Sequence, residues 1–136
     1  MLYNKVSKML QDPLADTLST IKNAERVGKN ECVTHASKMI KSVLKIMQEH
    51  GYIGSFELIE NGRGGKFRIE LKGRVIDANV IKPRYSVKVD EFEKWEKRFL
   101  PARDIGLLIL STPKGLMDHK KAKQSHLGGR LISFVY

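Results

Sequence analysis

Apolar positions along this chain keep two rhythms, one of three to four residues and one of two. In QDPLADTLSTIKNAERVGKN, Leu14, Leu18 and Ile21 recur at helical spacing, with Ala24 near their line, which predicts an amphipathic helix. Asp12 can cap its first free N–H groups, Pro13 sits where a missing donor costs nothing, and Gly28 can supply a left-handed stop. ECVTH is short and β-prone. SKMIKSVLKIMQEHG places Met39, Ile40, Val43, Leu44 and Met47 on one wide face and Lys38, Lys41 and Lys45 on a cationic ridge, with Gly51 as terminator.

SFELIE and KFRIELK, separated by the turn cluster NGRGG, then predict a hairpin. In its second strand Phe67, Ile69 and Leu71 alternate with Lys66, Arg68, Glu70 and Lys72, so one face is wet. From Gly73 to Lys82 the pattern loosens, and a module boundary is placed there. KPRYSVKV predicts a basic turn and an alternating strand through Tyr85, Val87 and Val89. DEFEKWEKRFL predicts a short helix with Asp90 and Glu93 at capping-box spacing, Phe92, Trp95 and Phe99 along one side, and Pro101 closing it. IGLLILS is a buried strand, and DHKKAKQ a brief helix capped by Asp118. GGRLISFVY is a last strand, expected to show Leu131, Ser133 and Val135 on one face and Ile132, Phe134 and Tyr136 on the other.

Composition sharpens this picture. The 136 residues include 25 Lys and Arg against 15 Asp and Glu, a formal charge of +10. The cations are spread through the folded segments rather than gathered in a tail. A polyanionic partner held by a folded surface is expected, with nucleic acid ahead of an acidic membrane. The single cysteine, Cys32, excludes an internal disulfide and a Cys-based zinc site and suits a reduced, intracellular setting. No apolar run approaches the ~18 residues of a membrane span. MLYNKVSKMLQ lacks a secretory pattern and reads as a short amphipathic extension.

Chemistry is sought first in GLLILSTPKGLMDHKKAK. A strand ending in hydroxyls, a glycine and a lysine can hold phosphate. It is not a nucleotide-hydrolysing loop, because the glycine follows the lysine and no second glycine stands at the required offset. NGRGG is not G-x-G-x-x-G and lies in a hairpin turn. Ser111, Asp118 and His119 form no nucleophile arrangement, since Asp118 is accounted for as a helix cap. The histidines His35, His50, His119 and His126 lack metal-ligand spacing.

Two readings of the Ser111–Gly115 stretch then stand side by side. In one, Ser111 and Thr112 donate to phosphate or a ribose 2′-OH, Lys114 adds charge, Gly115 allows close approach and Pro113 stiffens the loop. In the other it is a plain strand-to-helix turn whose hydroxyls bond locally. Lys82 and Arg84 form a basic turn with Tyr85 behind it as a stacking ring. Phe92, Trp95 and Phe99 suit local core better than a base platform. A DNA-binding module would need a longer recognition helix than DHKKAKQ, and an RNA-processing enzyme would need an acid–base or metal constellation that is not found.

The same segment resembles the signature of the universal small-subunit ribosomal protein S-eight family. Gly106, Ile109, Leu110, Ser111, Thr112, Gly115, Leu116, Met117, Ala122 and Lys123 fit it. The resemblance extends over DPLADTLSTIKNAERVGK, SKMIKSVLKIMQEHGYIG and GGRLISFVY, from about Asp12 onward. The longer IKPRYSVKVDEFEKWEKRFLPARDIG, Arg130 after the paired glycines, and GYIG are similar to the archaeal and eukaryotic branch.

The resemblance implies an α+β fold of two small domains. One is an α/β N-terminal domain over residues 12–74, ordered helix–strand–helix–strand–strand. The other is a mostly antiparallel β domain with short helices over residues 75–136, and residues 1–11 are an N-terminal extension. It implies a non-enzymatic constituent of the cytoplasmic small ribosomal subunit. Its partners would be the central domain of small-subunit rRNA and neighbouring small-subunit proteins, with no cofactor, metal, membrane or small-molecule substrate. The RNA contacts it implies are Ser111, Thr112, Lys114 and Gly115, with Gly128 and Gly129 shaping the neighbouring turn. Ser37 and Lys38 follow from the second helix, Lys22 and Asn23 from the first, and Lys82 and Arg84 from the basic turn. On that footing the loop holds an RNA backbone.

Overall fold

The computed structural model describes residues 12–60 and 65–136. The extension 1–11 and most of the NGRGG turn lie outside them. Helix α1 spans Pro13–Arg26, and the Asp12 carboxylate accepts from the Ala15 N–H at 3.2 Å. Such a cap holds an otherwise unpaired donor and stabilises by about 1 kcal/mol. Gly28 follows with φ 77°. Strand β1 is Glu31–His35, and α2 is Lys38–Glu49, capped by Ser37, whose hydroxyl accepts from the Ile40 N–H. Strands β2 (Ile53–Ile59) and β3 (Lys66–Leu71) complete an antiparallel sheet ordered β1–β3–β2. In β3 Phe67, Ile69 and Leu71 are buried and their neighbours exposed, as the alternation predicts.

The second sheet contains β4 (Ala78–Val80), β6 (Leu107–Thr112), β7 (Gly115–Asp118) and β8 (Gly129–Val135) in the order β4–β8–β6–β7. Strand β5, only Ser86–Val87, pairs with β8 beside Gly129 and Arg130. Helix α3 is Phe92–Phe99 and α4 is His119–Gln124. Helices and antiparallel sheets together make this an α+β fold, with the helix–strand–helix–strand–strand order in its first half.

Two apolar clusters form the core of the described residues. In the first, Leu14, Leu18 and Ile21 of α1 and Ile40, Val43, Leu44 and Met47 of α2 meet Phe67 and Ile69 of the first sheet and Leu107, Ile109, Ile132 and Val135 of the second. The second cluster lies on the opposite face of the second sheet, where Leu108, Leu110 and Leu131 meet Phe92, Trp95 and Ala122 of α3 and α4. A Glu25 carboxylate accepts from the N–H groups of Gly73, Arg74 and Val75 at 3.0–3.1 Å and fixes the crossing between sheets.

Several expectations are corrected. The strand through Tyr85, Val87 and Val89 stops at Val87, and Val89 enters a 3-10 turn, Val89–Glu91. There Glu91 accepts from the Lys88 N–H at 2.9 Å, so the capping contact is made by Lys88 and Glu91 instead of Asp90 and Glu93. β8 does not alternate strictly. Ser133 faces Ile109 but Leu131 faces Leu110, so a bulge at Ile132 shifts the phase. Leu131 therefore joins Phe134 and Tyr136 in the second cluster, while Ile132 joins Val135 in the first. β4 and β7 are strands that the apolar pattern did not announce.

Candidate nucleic-acid interface

The Ser111–Gly115 stretch is a tight hairpin, not a strand-to-helix turn. β6 ends at Thr112, Pro113 and Lys114 make the corner, and Gly115 faces Thr112 across the ladder. Proline presets the first corner residue, and Gly115 has φ 108°, a left-handed value that a side chain would strain. Thr112 is 8% exposed; its hydroxyl donates to the Gly115 carbonyl at 2.8 Å and accepts from the Lys114 N–H at 3.1 Å. That hydroxyl serves the turn. Ser111, by contrast, is exposed with no internal hydrogen bond to its hydroxyl among the described residues, and Lys114 is exposed and unpaired.

Pairing then builds a polar row. Ser86 faces Arg130, and Arg130 faces Ser111 on its other side. Residues opposite one another share a face, so Ser86, Arg130 and Ser111 stand together, all exposed. The strands come close here because of glycine. A Cβ on Gly129 would be driven into the Ser111 carbonyl oxygen and lie 2.9 Å from its carbon. One on Gly128 would lie 2.5 Å from the Val87 carbonyl oxygen. Gly129 is the first residue of β8, so this pair sets strand approach at that site.

A second set of candidates meets at the N-terminal ends of α1 and α2. Asp12, Ser37, Lys82 and Arg84 line one open cleft of about 430 Å³. Lys82 Nζ lies 3.0 Å from Asp12 Oδ2. Burial acts to raise the Asp12 pKa, but the Lys82 contact and the Ala15 amide leave it below its ordinary 3.8. Arg84 is exposed without a described acidic partner and stands two residues before Ser86 in the chain. Lys38, Lys41 and Lys45 are likewise exposed and without an ion pair among the described residues.

Other candidates lie apart. Lys22 bridges to Asp77 at 3.2 Å, and Asn23 lies beside it on α1, about 15 Å along the helix from Asp12. Tyr85 packs on Trp95 with centroids 4.7 Å apart, and Arg98 lies over its ring and donates to its hydroxyl at 3.3 Å. Phe92 and Trp95 are core. Ser111 has no bond to Asp118 or His119. Asp118 caps α4 through the Lys121 N–H, and buried His119 accepts from the Leu108 N–H at Nδ1. Cys32 is buried and its pKa rises to about 11, chiefly through desolvation, so the thiol stays protonated. No group of three or more His, Cys, Asp and Glu could hold a metal ion among the described residues. None of their helices is long and apolar enough to cross a membrane.

Arg130 and Ser86 were not among the contacts expected from sequence. Arg130 follows the paired glycines, and that adjacency was the available signal. Its place between Ser86 and Ser111 follows only from the register.

The family model described as ribosomal protein S8 matches residues 12–136. A small ribosomal subunit protein uS8 from Methanococcoides burtonii is 56% identical over 129 residues, which are 94% of this chain and 99% of that protein.

Proposed function

Because the chain belongs to the ribosomal protein S8 family, we propose that it binds the central domain of small-subunit rRNA through the cleft and the sheet row. It is a structural, non-enzymatic component of the small subunit in the cytoplasmic ribosome, and it acts in translation with rRNA and other ribosomal proteins as partners. The observation that carries the proposed site is the register that lines Ser86, Arg130 and Ser111 up beside the Lys114 corner.

The proposed mechanism divides affinity from placement. Lys38, Lys82, Arg84, Lys114 and Arg130 neutralise phosphates and release counterions. Ser111 and the backbone of Gly115 meet ribose or phosphate in the shallow minor groove, where regular A-form RNA is recognised mainly by shape. Gly128 and Gly129 hold the strands close enough to keep the row continuous, and Thr112 holds the corner. Ser37 first caps α2, so its contribution to RNA is chiefly to fix the cleft wall. Lys22 and Asn23 lie outside this surface. The proposed division at 74/75 is one of sheets, with each side forming its own and the first apolar cluster shared.

The test is titration of the full chain with a central-domain rRNA fragment and with a scrambled RNA of equal length, at two salt concentrations. Neutralising about five phosphates gives a log–log salt slope of about −4, and replacing Lys82 and Arg84 together by Ala lowers its size by about 2. Preference for the true fragment that survives added salt is expected. Equal affinity for both RNAs, lost equally in salt, would reject the site.

A further inference from the structure

Among the described residues, β1 is an edge strand of the first sheet. The Leu71 N–H donates to the Asn30 carbonyl at 2.9 Å, which sets the phase of the ladder. Asn30, Cys32 and Thr34 turn their backbone groups toward β3, and Glu31, Val33 and His35 turn theirs outward. The Thr34 hydroxyl reaches the His35 carbonyl at 3.3 Å. The outward N–H and C=O of Glu31 and Val33 have no backbone partner among the described residues.

Helix α1 runs beside this edge. Two depressions, of about 520 and 90 Å³, lie along it and share Thr20 and Val33 as walls, so they form one groove. Thr20 and Ala24 are short, which leaves room on the helix side. Val27 and Val33 are 68% and 47% exposed. Lysine and proline commonly blunt such an edge; β1 has neither, and its one carboxylate, Glu31, lies at its first position. Asp16 and Glu31 balance Lys29 and Lys66 around the groove, although the chain as a whole carries +10. A neutral groove gives a polyphosphate no counterion gain, whereas free amides and carbonyls at every second residue match a polypeptide strand.

We propose that the α1–β1 groove receives an extended segment of a neighbouring small-subunit protein, which adds to β1 as a fourth strand. The segment pairs with the five residues of β1 and sets uncharged side chains at alternate positions against Val33 and Val27. The class of partner rests on the small-subunit assignment; the groove itself does not depend on the RNA site.

The experiment displays overlapping short peptides covering the other small-subunit proteins of the same organism and measures binding of the purified full chain. The rRNA titration is run in parallel. One peptide segment should bind, and Val33→Pro should weaken it about tenfold, because it removes an outward N–H and no rung of the β1–β3 ladder. Thr20→Arg, which fills the groove from the helix, should weaken it at least as much and carries the test if the proline variant fails to fold. Both variants should bind rRNA like the parent. No bound peptide, or binding that Thr20→Arg retains, overturns the proposal even when rRNA binding is normal. Loss of rRNA affinity in Thr20→Arg would make the groove an RNA surface. Concentration-dependent dimers in sedimentation, abolished by Thr20→Arg, would assign it to a second copy. Either result overturns the proposal. Failure of the parent chain to prefer rRNA would reject the RNA site and leave the peptide result standing.

Discussion

Thr112 and Ser111 are adjacent hydroxyl residues with opposite assignments, and a pair of substitutions separates them. Thr112→Val keeps the side-chain shape and removes only the hydroxyl. It deletes the 2.8 Å bond to the Gly115 carbonyl and the 3.1 Å bond from the Lys114 N–H. Each such bond contributes about 0.5–1.5 kcal/mol net. Lys114 and Gly115 are exposed, so water takes up both freed groups and the total falls near ~1–2 kcal/mol. For a chain of this size that lowers Tm by about 3–8 °C. Urea midpoints and calorimetry measure the loss, and fluorescence anisotropy with the rRNA fragment, well below Tm, measures affinity. Thr112→Val should lose stability and keep most of its affinity. Ser111→Ala should leave stability within ~0.5 kcal/mol and weaken binding about 5- to 30-fold, one to two hydrogen bonds in a desolvated contact. Unchanged stability in Thr112→Val together with lost affinity would refute the reasoning, because its hydroxyl would then be bonding to RNA and not within the turn.

Two further predictions concern the fold that carries the surface. Gly129→Ala pushes a Cβ into the Ser111 carbonyl, a backbone atom that cannot swing aside; it should cost about 1–3 kcal/mol and reduce rRNA affinity, and parental stability by thermal melting would show that β6 and β8 do not need this approach. His119 has its pKa lowered from 6.5, mainly by burial and against the pull of Glu96. The Leu108 N–H already donates to Nδ1, so a second proton there has no acceptor. Between pH 6.5 and the lowered value the unfolded chain binds a proton that the native chain refuses, so stability is full above pH 6.5 and declines as pH falls through that window. Urea midpoints at pH 7.5 and 5 should differ more for the parent than for His119→Gln, and equal differences would contradict the assignment.

Much of the fold was legible because strong periodicity and local caps agree. Asp12, Pro13 and Gly28 bracket α1, Ser37 and Gly51 bracket α2, and Phe67, Ile69 and Leu71 announce the buried face of β3. What failed is what local pattern does not encode. β4 has three residues, too few to show a period, and it is a strand only because β8 supplies a partner; β5 was announced by Tyr85, Val87 and Val89, but only Ser86 and Val87 find a partner in β8. β7 was hidden because Gly115–Asp118 looked like the lead-in to α4, and only pairing with β6 makes it a strand. Asp90 and Glu93 had the right spacing for a cap, but the chain starts its turn earlier, at Lys88, where Glu91 reaches back.

The proposed site was half legible for the same reason. Residue types and spacing pointed to Ser111, Lys114, Lys82 and Arg84, yet could not divide Ser111 from Thr112, which differ in burial and not in chemistry. They could not place Arg130 either. The alternation of GGRLISFVY puts Arg130 on the face of Ile132, and the actual sheet agrees only because the bulge comes after it. Had the strand stayed regular through Ser133, either Val135 or Leu131 would have had to leave its apolar cluster. The extra residue at Ile132 lets both stay buried, with Leu131 on one side of the sheet and Val135 on the other. The bulge thus lets a single strand serve two cores, while its first residues, on the near side of the irregularity, keep the register that sets Arg130 between Ser86 and Ser111.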